Sequence, residues 1–222
     1  MMTWEKIPKL FEGRTVRVFG GGPSLGLLEA HRDQLDKVPT IVVNTAMYLH
    51  PKAEVLFFSD AWFYWHAKED IQAFPGLKVT INKCYTDKLG VRRDASLENE
   101  PNLYIQPTGS YGWDATRNII CFNRSSGAGA IQLAWHMGAK RIVLFGFDMQ
   151  EVNGVFEWKS MNRRGDRECK SDPAFFFRKG METMFQRAGE RGVLLYDMVV
   201  NATPGSQMKL FPITTVEKGL SL

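Results

Sequence analysis

The sequence predicts an α/β fold, with helices on both sides of a mostly parallel sheet and one inserted lid. Three observations carry this. Short apolar runs alternate with segments of helical period. The runs are apolar throughout rather than at every second residue, so each is buried on both faces. The first run ends in glycines that lead straight into a helix, "VRVFGGGPSLG" at 16–26. At 222 residues the chain suits a single domain over 1–222, with a lid or insertion at about 149–172. A chain of that size buries roughly 70% of its unfolded surface.

The elements follow in order. "TVRVFG" (15–20) is a β-branched strand ending in glycine. "SLGLLEAHRDQLD" (24–36) sets Leu25, Leu28 and Leu35 on one helical side, with Ser24 as N-cap. "TIVVN" (40–44) and "EVLFFSD" (54–60) are buried strands, and "AWFYWHAKEDIQAF" (61–74) has helical spacing. "LKVTIN" (77–82) and "NLYIQP" (102–107) add a fourth and a fifth strand. In "SSGAGAIQLAWHMGAK" (125–140), Ile131, Ala134 and Trp135 share a helical face and Gly138 marks the end. "RIVLFGFD" (141–148) is the clearest strand of all. The lid is polar and broken by Gly154 and Gly165. Next, "PAFFFRKGMETMFQRAGERG" (173–192) is a helix with Pro173 at its first position and Gly192 past its end. "VLLYDMV" (193–199) reads as a last strand, and Thr214 with Glu217 as a capping box for a final helical turn. The whole is a three-layer, Rossmann-like arrangement. Such sheets bind ligands at the carboxyl ends of their strands, where the strand order reverses. The rule selects the loops at 20–24, 44–48, 59–62, 123–127 and 147–149.

Composition narrows the functional classes. The formal net charge is +4, and no basic run exceeds two residues (Arg92-Arg93, Arg163-Arg164). A nucleic-acid partner calls for a denser basic patch, so no specific nucleic-acid partner is expected. Cys84, Cys121 and Cys169 are odd in number and far apart, which implies neither a zinc site nor a disulfide framework. A reducing cytoplasm is the simplest compartment. No window approaches the ~20 apolar residues of a membrane span, and "MMTWEKIPKLFEGR" lacks the apolar run of a signal peptide.

The selected loops hold the chemistry. Gly20, Gly21, Gly22, Pro23 and Ser24 place N–H groups at a helix start, which favours an anion such as a phosphate; the competing reading is a tight turn for packing. A Walker motif would need a Lys here, and the dinucleotide fingerprint would need glycine at Leu25 and an acid at Asn44. Both are excluded. Arg124, Ser125, Ser126 and Gly127 form a second such start, suited to another phosphate or a carboxylate, or else an ordinary serine cap beside a surface Arg. Asn44 can donate and accept, which suits a ribose hydroxyl or a base edge. Asp60 and Asp148 each end a strand; they would hold Mg²⁺, orient ligand hydroxyls, or cap the segments that follow. His31 and His136 fall inside helices, His50 precedes Pro51, and no His follows His136. In the lid, Phe156, Trp158 and the cations at 159, 163, 164, 167 and 170 could close over a substrate, or form a solvated surface with their acidic neighbours.

Four segments taken together carry a resemblance: "VFGGGPSL", "VVNTAM", "SSGAGAIQLAWHMGAKRIVLFGFDM" and "NATPGSQMKLFP". In that order they resemble the Rossmann-like family of 6-hydroxymethylpterin diphosphokinase-like proteins. That family is related to bacterial sialyltransferases, which use CMP-sialic acid, and to flagellin-modifying accessory factors, and it has many short phage members. The resemblance spans roughly 16–212. It implies a nucleotide-phosphate loop at Gly20–Ser24, a nucleotide contact at Asn44, a donor phosphate or carboxylate contact at Ser125–Gly127, and an acidic strand end at Asp148. The sialyltransferases keep a His in the lid as general base. Here the lid has none, so Glu157, Asp166 or the distant His66 would have to accept the proton.

The expected function is therefore a nucleotide- or nucleotide-sugar-binding transferase, glycosyltransferase-like, with an acidic CMP-linked donor. Arg124 and Arg117 would add positive charge at the leaving phosphate. One alternative is pyrophosphoryl transfer from ATP to a pterin alcohol, with Mg²⁺ on Asp60 and Asp148. Another is a nucleotide-binding module without catalysis. A homo-oligomer is compatible with each.

Overall fold

A computed structural model describes residues 2–82, 84–86, 92–97, 100, 102–115, 118–158 and 173–222. The chain opens with β1 (Thr15–Phe19), a 3-10 segment (Pro23–Lys37), β2 (Thr40–Val43) and a short 3-10 turn (Asn44–Tyr48). It continues through β3 (Val55–Phe58), α1 (Ala61–His66), α2 (Lys68–Ala73) and β4 (Leu77–Thr80). Then come β5 (Cys84–Thr86), β6 (Arg92–Ser96), β7 (Leu103–Ile105), β8 (Thr108–Gly109) and β9 (Ile120–Cys121). The last part is α3 (Ser126–His136), β10 (Arg141–Phe145), α4 (Pro173–Glu190), α5 (Leu195–Met198), β11 (Val199–Asn201) and α6 (Val216–Leu220).

Seven strands form one parallel sheet in the order β11-β10-β1-β2-β3-β4-β7. The order follows from β1 outward to β7, then returns to β10 on the other side of β1. The reversal therefore lies between β1 and β10, which run in register from Thr15↔Arg141 to Phe19↔Phe145. Strand side chains alternate between two cores, as the two-residue period requires. Val16, Val18, Ile41, Val43, Val55, Phe57, Ile142 and Leu144 pack with α3 and α4 through Ile131, Met181 and Met184. Phe19, Val42, Leu56, Phe58, Val143 and Phe145 pack on the other face with Leu25, Leu28, Phe63, Ile71 and Leu220. Two cores on one sheet make the three-layer, Rossmann-like fold. The described helices include none long and apolar enough to cross a membrane.

Several local expectations change. Pro23–Lys37 is a 3-10 segment kinked at His31 (φ −124°, ψ 24°), and its N-cap is Gly22, not Ser24. The 61–74 helix is two short helices broken at Ala67, whose φ/ψ of −124°/24° is not helical. The apolar run 193–199 is not a strand: Leu195–Met198 is a helical turn and the strand begins at Val199. A short apolar run does not reveal its own period. The final helix is capped by Thr215, whose hydroxyl accepts the Lys218 N–H, one residue later than expected. Of the lid, only 149–158 falls within the described residues; there Val152 and Val155 bridge around Asn153 and Gly154, both left-handed at φ 52° and 77°.

Candidate functional site

The first helix start sits where β1 and β10 leave the sheet side by side. The Gly20 N–H donates to the Phe145 carbonyl at 2.8 Å, and the Gly22 N–H to the Gly146 carbonyl at 2.9 Å. The crossing is too close for side chains. A Cβ on Gly20 would lie 2.6 Å from the Gly146 oxygen, and one on Gly22 would lie 2.1 Å from Asp148 Oδ2. These two glycines are thus required by protein packing, and not only by an approaching ligand. Beyond them the Asp148 carboxylate occupies the helix start. It accepts the Ser24 N–H at 3.2 and 3.3 Å on its two oxygens and the Ser24 Oγ–H at 2.9 Å. Asp148 is only 2% exposed, and burial pushes its carboxyl above the ordinary aspartate range, partly offset by the Ser24 hydrogen bonds.

The loop carrying Asp148 is held rigidly from beneath. Thr203 Oγ1 accepts the Phe147 N–H at 2.9 Å, and Ser206 Oγ–H donates to the Phe147 carbonyl at 2.6 Å. The segment "NATPGSQ" therefore fixes the height of Asp148.

The second start, after β9, is arranged differently. Ser125 is the N-cap of α3, its Oγ accepting the Ala128 N–H at 3.3 Å. Ser126 Oγ lies 2.5 Å from Ser59 Oγ, a residue at the end of β3. A Cβ on Gly127 would meet the Phe147 ring at 2.7 Å, so this glycine admits an aromatic wall. Among the described residues, the N–H groups of Ser126 and Gly127 have no backbone or side-chain acceptor. They stay available at the positive end of α3.

Both starts open on one cleft of about 360 Å³. Gly20, Gly21 and Gly22 line it on one side, and Arg124, Ser125, Ser126 and Gly127 on the other. Asn44, Asp60, Asp148 and Glu157 complete the expected set. Pro23 and Ser24 lie just behind the wall; Ser24 reaches the cleft through Asp148. His66 is exposed at the end of α1 and does not line the cleft. Asp166 and Arg117 lie outside the described residues.

Asn44 sits in the left-handed region (φ 51°), and its Oδ1 is buried without a hydrogen-bond partner. The lid root is fastened to the site: the Trp158 N–H donates to the Gly21 carbonyl at 2.8 Å. This brings Glu157 to the cleft beside Phe156. Arg124 stacks over Phe176, its guanidinium carbon 5.2 Å from the ring centre.

Sequence reasoning missed Asn82, Phe122 and Phe177, which line the cleft; Ser59 and Phe147 lie in the selected loops at 59–62 and 147–149 but were not singled out. Asn82 closes "LKVTIN", so the strand-end rule that selects Asp60 would have found it. The aromatic residues carried no such signal.

For Mg²⁺ the fit is poor. Among the described residues no group of three or more His, Cys, Asp or Glu side chains could share a metal ion. Asp148 already engages Ser24 through both oxygens, so a cation between it and Asp60 would compete with those donors.

Backbone strain gathers at the same place. Six described non-glycine residues have positive φ, and three of them, Asn44, Arg124 and Met149, line the cleft. Asn123, a fourth, adjoins Arg124 (φ 47° and 51°). Left-handed backbone costs roughly 1–2 kcal/mol per non-glycine residue and persists where the surroundings impose it, commonly at functional sites.

No family model, curated protein or solved structure matches the chain.

Proposed function

We propose that the cleft binds a nucleotide-linked donor and that the protein is a glycosyltransferase-like transferase, its donor an acidic sugar carried on CMP. One observation carries this reading: the open N-terminus of α3 and Asn44, whose amide oxygen is buried without a hydrogen-bond partner, border the same cleft at the sheet's order reversal. The donor phosphate sits at the Ser126 and Gly127 N–H groups, where the α3 dipole and Arg124 favour negative charge. Asn44 meets the ribose or the base edge. In the reaction the acceptor hydroxyl oxygen bonds the anomeric carbon while the bond from that carbon to the phosphate oxygen breaks. The phosphate leaves with the electron pair, stabilised by the same donors, and Glu157 takes the hydroxyl proton. Asp60, Asp148 and Glu157 put three carboxylates on the walls, so an anionic ligand depends on α3 and Arg124 for its affinity.

Calorimetry with CMP, UDP, CMP-sialic acid and ATP, each with and without Mg²⁺, tests the reading. The expected result is Mg²⁺-independent binding of CMP, weakened about tenfold by Arg124→Ala, as fits the loss of a charged partner of the phosphate. Donor turnover should be lost in Glu157→Gln while CMP still binds. Absence of binding by any cytidine or uridine nucleotide at millimolar concentration refutes it. ATP binding that requires Mg²⁺ would favour pyrophosphoryl transfer, and CMP binding without turnover of any donor would mark a silent module.

A further inference from the structure

Beside the donor cleft lies a second chamber of about 390 Å³, a hollow open to solvent. The two share Asn82, Phe122 and Arg124 as a common wall. Its other walls come from the end of β4 and from β8 with the residues after it, Thr108 to Tyr111. We infer that this chamber is the acceptor subsite, and that it takes a neutral carbohydrate ring. The inference rests on the donor reading above.

The chamber is built rather than incidental. β8 and β9 are only two residues each, yet they pair in parallel and bring Gly109 beside Cys121. The pairing continues beyond them: the Phe122 N–H donates to the Gly109 carbonyl at 2.9 Å and the Asn123 N–H to the Ser110 carbonyl at 3.1 Å. The wholly buried Asn123 amide then clamps the two walls. Its Oδ1 accepts the Gly112 N–H at 2.7 Å, and its Nδ2 donates to the Gly112 carbonyl at 2.9 Å. Asn82 is fixed in turn, its Nδ2 donating to the Ser59 carbonyl and its N–H to Thr80 Oγ1. Side chains on such a frame are preorganised for a ligand.

The lining selects the ligand. Tyr111 and Phe122 stay 51% and 39% exposed, although both are large aromatics. Aromatic faces suit the C–H face of a sugar ring, and exposed aromatics lining one hollow mark a binding surface. Ser110 and Asn82 supply a hydroxyl and an amide that donate and accept, and Thr108 Oγ1, which donates to the Gly109 carbonyl at 3.0 Å, adds an acceptor, matching a ring of hydroxyls. Among the described residues no carboxylate lines the chamber, and Arg124 is the charge they place there, at the boundary with the donor. Among the described residues a cationic ligand therefore has no partner there. A sugar in this chamber would present a hydroxyl across the shared wall toward the anomeric carbon, which is the direction transfer requires.

Saturation-transfer NMR on the full chain tests this, using methyl glycosides of galactose, glucose, N-acetylglucosamine and N-acetylneuraminic acid, with CMP titrated in the same samples. The expected result is saturation of one ring face of at least one neutral glycoside. Tyr111→Ala should weaken that glycoside by about three- to tenfold, the scale of one aromatic contact, and leave CMP affinity unchanged. Retained CMP binding also shows that the variant is folded. CMP binding with no glycoside binding overturns the acceptor chamber and leaves the donor reading intact. A Tyr111-dependent glycoside signal without CMP binding upholds the sugar site and overturns the donor reading. Glycoside binding indifferent to Tyr111→Ala places the sugar elsewhere and overturns the inference.

Discussion

The two helix starts that face the cleft look alike in sequence and differ in what fills them. After β1 the start is closed by the protein itself, since the Asp148 carboxylate holds the N–H and hydroxyl of Ser24. After β9 it is open: Ser125 caps its own helix through Ala128, and two N–H groups remain toward the cleft. A strand–glycine–helix pattern creates the potential for an anion site. Whether the site is free is decided by a residue 124 positions away. The glycines divide in the same way. Gly20 and Gly22 admit a neighbouring backbone loop and its carboxylate, while Gly127 admits side chains, the Phe147 ring and Met181.

The sharpest way to break this contrast is to add a methyl group on each side. Gly22→Ala drives a Cβ to within 2.1 Å of Asp148 Oδ2 and 2.7 Å of the Gly146 oxygen. Neither the backbone nor the capped carboxylate can retreat cheaply. The expected loss is about 3 kcal/mol or more, the upper range of overpacking, read as a shift in the urea midpoint. Gly127→Ala meets only side-chain atoms, the Phe147 ring at 2.7 Å and Met181 Cε at 3.2 Å, and alanine suits a helix better than glycine. Its expected cost is within about 1 kcal/mol. Equal losses would show that both glycines serve the same structural purpose and would dissolve the distinction.

Removing the charge that closes the first start has a smaller, two-part effect. The folded Asp148 carboxyl titrates above its unfolded value because of burial. The folded state therefore holds its proton longer than the unfolded chain does. Stability from this group is greatest below the unfolded value and declines as pH rises through the window up to the folded one. Asp148→Asn should flatten that decline in urea titrations carried upward in pH from the ordinary aspartate range. It should also remove a negative wall facing the donor phosphate, tightening CMP by up to about fivefold, the scale of one charge at a helix start. Weaker CMP binding in this variant would mean that the carboxylate itself holds the ligand.

Much of the architecture was legible. Each run that reads as apolar throughout became a parallel strand except 193–199, because burial on both faces leaves a continuous signature. The residues at the strand ends were legible too: Asn44, Asp60, Asp148 and Ser125–Gly127 meet in one cleft because topology alone places strand ends together. What stayed hidden depends on contacts distant in sequence. Nothing in "GGGPS" announces that Asp148 will occupy it, and nothing in "LLYDM" separates a helical turn from a strand. The second chamber was invisible because β8 and β9 are too short for any periodicity. Asn123 and Arg124 gave no warning of their left-handed backbone, which tertiary pairing imposes.

Gly21 offers the finest test of the comparison, because it separates what the fold needs from what a ligand needs. Unlike its neighbours it meets almost nothing: a Cβ there would have only Thr45 Oγ1 near it, at 3.9 Å. Its φ is not left-handed, so Gly21→Ala should change stability by no more than about 0.5 kcal/mol. The added methyl would border the cleft. If the donor phosphate rests at α3, as the closed first start requires, CMP affinity should stay within about twofold of the unaltered protein. A loss of about tenfold or more, with stability unchanged, would put the ligand against the Gly21 backbone after all. The phosphate would then lie at the first start despite Asp148, and a cation or a protonated carboxyl would be needed to hold it there.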